Sequence, residues 1–197
     1  MPLTKLNNKA VANVTALPVA LGDMVLVSSA TASSSASIEF SLGNYKEYVF
    51  YFVNCHPSTN AVSFLFNLST DSGSNYNVTK TTTFFRAFQS ETGSSTGLGY
   101  QTGSDLAQST SFQELTHTTT LSNDSDSGFC GSLTLFNPSS TTYVKHFISR
   151  NQYTSGSSSI NVYVAGYGNT TSAINAIKFQ MDSGNIDAGK ILMFGVN

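Results

Sequence analysis

Residues Tyr45–Cys55 read Y-K-E-Y-V-F-Y-F-V-N-C. Tyr45, Glu47, Val49, Tyr51, Val53 and Cys55 alternate with Lys46, Tyr48, Phe50, Phe52 and Asn54. A period of two, carried by aromatic and β-branched residues, is the signature of a strand. Both faces are apolar through the middle of the run. That pattern predicts a central strand that is either buried on two sides or turned toward another subunit.

The same periodicity extends in both directions. Toward the N-terminus lie Met24–Ser29 and Ser37–Leu42, where Ile38, Phe40 and Leu42 share a face. After the turn-rich H-P-S-T-N-A comes Val62–Ser69, with Val62, Phe64, Phe66 and Leu68 aligned. Tyr76–Lys80 and Thr82–Phe88 follow as two further strands. Segment 89–111 reads as a long Ser/Thr/Gly loop with a short strand near Leu98–Gln101, and a loop of that length is often a binding element. Gln113–Leu121 is a weak Thr-rich strand, and S-N-D-S-D-S-G is a turn. Phe129–Phe136, Thr142–Arg150, Ile160–Tyr167, Ile174–Met181 and Lys190–Val196 complete the series. Many short strands with no helical period of any length predict an all-β fold, an antiparallel β-sandwich of jelly-roll-like type.

Residues 1–22 break the pattern. They hold Pro2 and Pro18, no aromatic residue and no sustained alternation. The reading is an extended N-terminal arm over 1–22 that docks on a neighbouring subunit, followed by a sandwich over 23–197. Leu3, Leu6, Val11, Val14, Leu17, Val19 and Leu21 are its apolar contact candidates. The alternative is a first strand behind a frayed terminus.

Composition narrows the function. Charged residues are 10% of the chain, against about 25% in typical soluble domains. Polarity rests instead on 31 Ser, 23 Thr and 17 Asn, which favour strands and turns over helix interiors. Net charge is −2 with no Lys/Arg cluster, which argues against a nucleic-acid partner. No long apolar run suggests a membrane span, and the M-P-L-T-K-L-N-N-K start has no signal-peptide character. A surface so poor in charge suits coverage by neighbours.

The C-terminal stretch from Asn169 to Asn197 contains S-G-N-I-D-A-G-K-I-L-M-F-G-V-N. It resembles the C-terminal hairpin of a β-sandwich domain that recurs in virion proteins of tailed bacteriophages. Ser183, Gly184, Asn185, Ile186, Gly189, Phe194, Gly195 and Val196 carry the likeness. Such domains occur on capsids and on tails. The resemblance implies a structural role in a virion, with synthesis in the host cytoplasm.

No catalytic pattern emerges. His56, His117 and His146 stand in no metal-binding spacing, so no metal or cofactor is expected. His146 alternates with Val144 and Ile148 and reads as a sheet-facing imidazole. No G-x-S-x-G elbow precedes a helix. Glu39 and Glu47, in consecutive strands, are the nearest approach to a paired-carboxylate site, with Glu114 a third acid. Asp124-Ser-Asp126-Ser-Gly128 echoes the start of a calcium loop but lacks its closing Glu. Cys55 and Cys130 read as buried structural thiols whose pairing the sequence leaves open. Among the tyrosines, Tyr100 and Tyr153 sit in or beside loops and are the candidates to face a partner.

The expected function is therefore non-enzymatic. The first reading is a capsid decoration (cement) protein, a homotrimer that binds the major capsid protein on the outer shell. The alternative is a tail-fibre, vertex or receptor-binding protein that recognises host glycans through the 89–111 and 151–159 loops.

Overall fold

The computed structural model describes residues 24–197, so the arm and its seven candidates, Leu3 to Leu21, lie outside the described residues. Twelve strands follow in order: β1 (Val25–Thr31), β2 (Ile38–Ser41), β3 (Glu47–Pro57), β4 (Phe64–Ser69), β5 (Lys80–Ser90), β6 (Thr96–Tyr100), β7 (Gln113–Glu114), β8 (Phe129–Phe136), β9 (Lys145–Ser155), β10 (Ser158–Gly168), β11 (Ala176–Met181) and β12 (Ile186–Val196). No helix occurs among the described residues.

The strands form an antiparallel β-sandwich. One sheet has eight strands in the order β1-β12-β3-β8-β9-β10-β5-β6, and the other has four, β2-β11-β4-β7. The alternating residues of facing strands fill the space between. Phe179 on β11 is the hub, with ring centroids 5.2 Å from Phe52, 5.3 Å from Phe50 and 6.0 Å from Phe64. Tilted, edge-on and stacked contacts of this kind add to the gain from burial itself. Between β5, β9 and the loops that cover them, the interior becomes polar: Asn67, Lys80, Thr82, Gln113, Lys145 and Asn151 are all buried.

Three local readings change on this frame. Cys55 was assigned to the face of Tyr51 and Val53, yet it is buried with Phe50 and Phe52. The β3–β8 register slips between Phe52 and Cys55, and Asn54 adopts φ 48°. This bulge inserts one residue and flips everything after it. Segment 89–111 begins as a hairpin: β5 continues to Ser90 and pairs through a short turn with β6, which takes in most of the short strand expected near Leu98–Gln101, while the residues after Tyr100 lie outside the strands. Segment 151–159 is likewise the tip of the β9–β10 hairpin, closed by Gly156 and Ser157.

The C-terminal pair is the third change. β11 and β12 were expected to be a hairpin, but they lie in different sheets. Ser183–Asn185 crosses from one layer to the other, tied by Ser58 Oγ accepting from Asn185 N at 2.9 Å and by Asn185 O accepting from Ser58 N at 3.0 Å. Gly184 makes the crossing at φ 72°, in the space a side chain would share with Thr59 Oγ1.

Candidate interaction surfaces

Among the described residues β1 is an edge strand, paired to β12 alone. It follows the 1–22 segment in the chain, and Met24 just before it and its first residues Val25, Leu26 and Val27 are exposed to 44%, 48%, 52% and 40%. An open edge normally carries a lysine, a proline or an inward charge that blocks further pairing. V-L-V-S-S-A-T carries none of these, and its one irregularity is the register shift between Leu26 and Ser28. Such an edge is chemically prepared to be covered.

The second surface is the outer face of the eight-stranded sheet. Strand register lines up Leu192, Tyr51, Ser132, Arg150, Tyr163, Phe85 and Tyr100 in one row across seven strands. A neighbouring row holds Leu26, Phe194, Val49, Thr134, Ile148 and Ala165. The rings are ordered. Phe85 stacks on Tyr163 at 5.0 Å and 8°, and Tyr51 meets Phe194 edge-on at 5.7 Å. The Tyr45–Cys55 run is thus apolar on both sides because its outward residues belong to this open face.

The expected tyrosines separate here. Tyr100 is half-exposed at the end of the aromatic row, its Oη donating to Asp105 Oδ2 at 2.6 Å. That bond to a carboxylate raises the pKa of the phenol. Tyr153 does not face a partner: it is fully buried. β9 runs on to Ser155, and its alternation turns Tyr153 inward, where Oη accepts from His117 N at 2.9 Å and contacts Thr120 Oγ1 at 2.7 Å.

A polar cleft of ≈ 660 Å³ lies at one end of the sheet, lined by Asn54, His56, Asp126, Cys130, Gln152 and Asp187 among others. His56 Nε2 donates to the Asp124 carbonyl at 3.1 Å, and Nδ1 lies 4.0 Å from Asp187 Oδ2. Cys130 is half-buried, with Sγ donating to Asn54 Oδ1 at 3.1 Å, so only Cys55 meets the expectation of a buried thiol. Burial pushes the Cys55 thiol up to about 12. The two thiols are free. Among the described residues no serine or cysteine is hydrogen-bonded to a histidine ring, and no three His, Cys, Asp or Glu side chains cluster as for a metal.

The carboxylates are also dispersed. Glu39 and Glu47 lie in different sheets. Glu39 accepts from Lys178 Nζ at 2.7 Å and from Tyr76 Oη at 3.0 Å, and the Lys178 bond draws its pKa down. Burial raises the pKa of Glu114, whose carboxylate accepts from Thr118 Oγ1. His146 is exposed on the outer face beside Tyr167, and His117 is kept toward its neutral form by burial and by Arg86.

The aromatic row has no local signature in the chain: its members come from seven strands, and only register brings them together. Comparison with protein-family models, with curated proteins and with solved structures finds no match.

Proposed function

We propose that this chain is a non-enzymatic structural protein of a bacteriophage particle, a decoration (cement) subunit that binds the outer capsid surface. The observation that carries the reading is the β1 edge. Four successive exposed apolar residues, Met24 to Val27, open an edge strand that has no lysine or proline and come soon after an apolar segment, which is the arrangement of a subunit completed by its neighbour. In this reading the arm and the edge together contact the major capsid protein, and three copies associate as a homotrimer.

The topology is in keeping with it. Setting aside the β5–β6 and β9–β10 hairpins, the remaining strands run β1-β12-β3-β8 over β2-β11-β4-β7. We read this as a jelly roll, an architecture common in viral coats and in lectins. The phage assignment itself rests on the C-terminal motif from Ser183 to Val196. The alternative, a tail-fibre, vertex or receptor-binding protein, is favoured by the aromatic outer face.

A difference map of particles with and without the protein tests the proposal. Regular density over the head, lost when residues 1–20 are deleted from a chain that still folds, is the expected result. Density confined to the tail or to one vertex overturns it in favour of the alternative.

A further inference from the structure

We infer that the outer face of the eight-stranded sheet carries a binding groove for an acidic oligosaccharide, centred on Arg150. The groove, of ≈ 440 Å³, is lined by Tyr51, Ser132, Arg150, Gln152 and Asn161. It does not depend on where the protein sits on a particle. It also differs from the loops that the sequence nominated for glycans.

The wall geometry suits sugar rings. Tyr51 stands on β3 and Tyr163 on β10, three strands apart in the same row. At about 4.8 Å between strands their separation is about 14 Å, a span that a short oligosaccharide fills. Each ring is held by a second one, Tyr51 by Phe194 and Tyr163 by Phe85. Rings fixed in this way offer apolar area at little entropic cost, and on Tyr163, flanked by Phe85 and Arg150, that area is the outward ring edge.

Between the rings lie polar groups with capacity to spare. Asn161 Nδ2 donates to the Asn151 carbonyl at 3.1 Å, which leaves its Oδ1 to accept. Gln152 Nε2 is engaged with Tyr153 O at 3.2 Å, which leaves its Oε1. The guanidinium of Arg150 lies over the Tyr163 ring, 5.4 Å from its centroid, and among the described residues it forms no ion pair. A guanidinium held over a ring and free of ion pairs among the described residues is suited to bidentate recognition of a carboxylate. Hydroxyl-rich ligands match the mixed donors and acceptors around it.

Other ligand classes fit less well. A nucleic-acid strand needs a basic track to neutralise phosphates, and this chain has 9 Lys and Arg in all against 11 acids. A uronic or sialic-type saccharide needs one positive centre among stacking rings.

The test is calorimetric titration of the full chain with oligogalacturonate and with polysialic acid, each against its carboxyl-reduced form. The expected result is saturable binding of an acidic polymer that Arg150→Gln weakens about tenfold or more, with discrimination against the reduced form lost. Tyr51→Ala and Tyr163→Ala should weaken both forms. Should a variant fail to fold, side-chain NMR of the unaltered protein reads the same site, through ligand-induced shifts of Arg150 Nε–H and of the Gln152 and Asn161 amides. The inference is overturned if neither acidic polymer binds, if Arg150→Gln binds as the unaltered chain does, or if sedimentation shows the face closed by a second copy.

Discussion

Lys80 Nζ donates to Asn67 Oδ1 at 2.5 Å, joining β5 of one sheet to β4 of the other, with both side chains fully buried. The second acceptor is the Val78 carbonyl at 2.9 Å, and among the described residues no carboxylate is bonded to the amine. A neutral amine has two N–H bonds and finds two acceptors, whereas an ammonium has a third donor to satisfy. Desolvation accordingly lowers Lys80 from 10.5 to about 7.

Stability should therefore rise with pH above neutrality. Between about 7 and 10.5 the unfolded chain holds a proton at Lys80 that the folded chain has released, so alkali favours the folded state by up to about 1.4 kcal/mol per pH unit. Below about 7 both states are charged and the penalty of burying the ammonium is present in full. Lys145, also lowered by burial, adds with the same sign. Cys55 and Tyr153, both raised to about 12, oppose the trend once their unfolded forms begin to ionise near 9 and 10. Urea unfolding at pH 7 and pH 9 should show a higher midpoint at pH 9, and Lys80→Met should flatten that difference. An equal rise in the variant refutes the assignment.

Gly189→Ala should be strongly destabilising. Gly189 sits at φ 110° in the irregular start of β12, where a Cβ would lie 2.5 Å from both Asn54 O and Cys55 Cα. Backbone must move, because neither atom belongs to a flexible side chain. A loss of about 2 kcal/mol or more is expected, read from the thermal midpoint. Gly93→Ala is the control: its φ is also positive, but open space surrounds it.

That glycine also marks the limit of what the residues disclose on their own. Alternation located β3, β8, β10 and most of β12, since a half-buried strand writes its period directly into the chain. It could not disclose the Asn54 bulge, because one residue in a left-handed conformation leaves no compositional trace and reverses the facing of Cys55. It marks both strands of the β5–β6 hairpin but not their pairing, because T-G-L-G-Y carries its pattern on two residues and the extension of β5 to Ser90 is polar. Tyr153 seemed loop-borne only because the β9–β10 turn is shorter than its Ser/Gly composition suggests. The outer aromatic row depends on pairings between strands distant in the chain, which no local pattern reports.

Tyr153→Phe should lower stability by about 1–3 kcal/mol, because it leaves the buried His117 N–H without its acceptor. Thr120 Oγ1 already donates to His117 O at 2.6 Å, so the phenol donates to Thr120 in turn. The hydroxyl closes a small network that pins segment 117–120. Amide exchange should accelerate at His117 while saccharide binding and particle attachment stay unchanged. A loss of attachment in a variant of undiminished stability would restore Tyr153 as a contact residue.

Leu26→Lys should separate folding from assembly. Leu26 is the most exposed residue of the β1 run, at 52%, and it lies opposite Phe194 on the outer face. A lysine there snorkels into water at little cost, within about 0.5 kcal/mol for a surface substitution. It also places the guard that natural edge strands use against further pairing. The variant should therefore melt with the unaltered protein but fail to attach to its particle, as judged by co-sedimentation with particles stripped of it. Attachment at full strength would show that the edge is left open in the assembled state, and the contact would then have to be sought on the aromatic face around Tyr51 and Ile148.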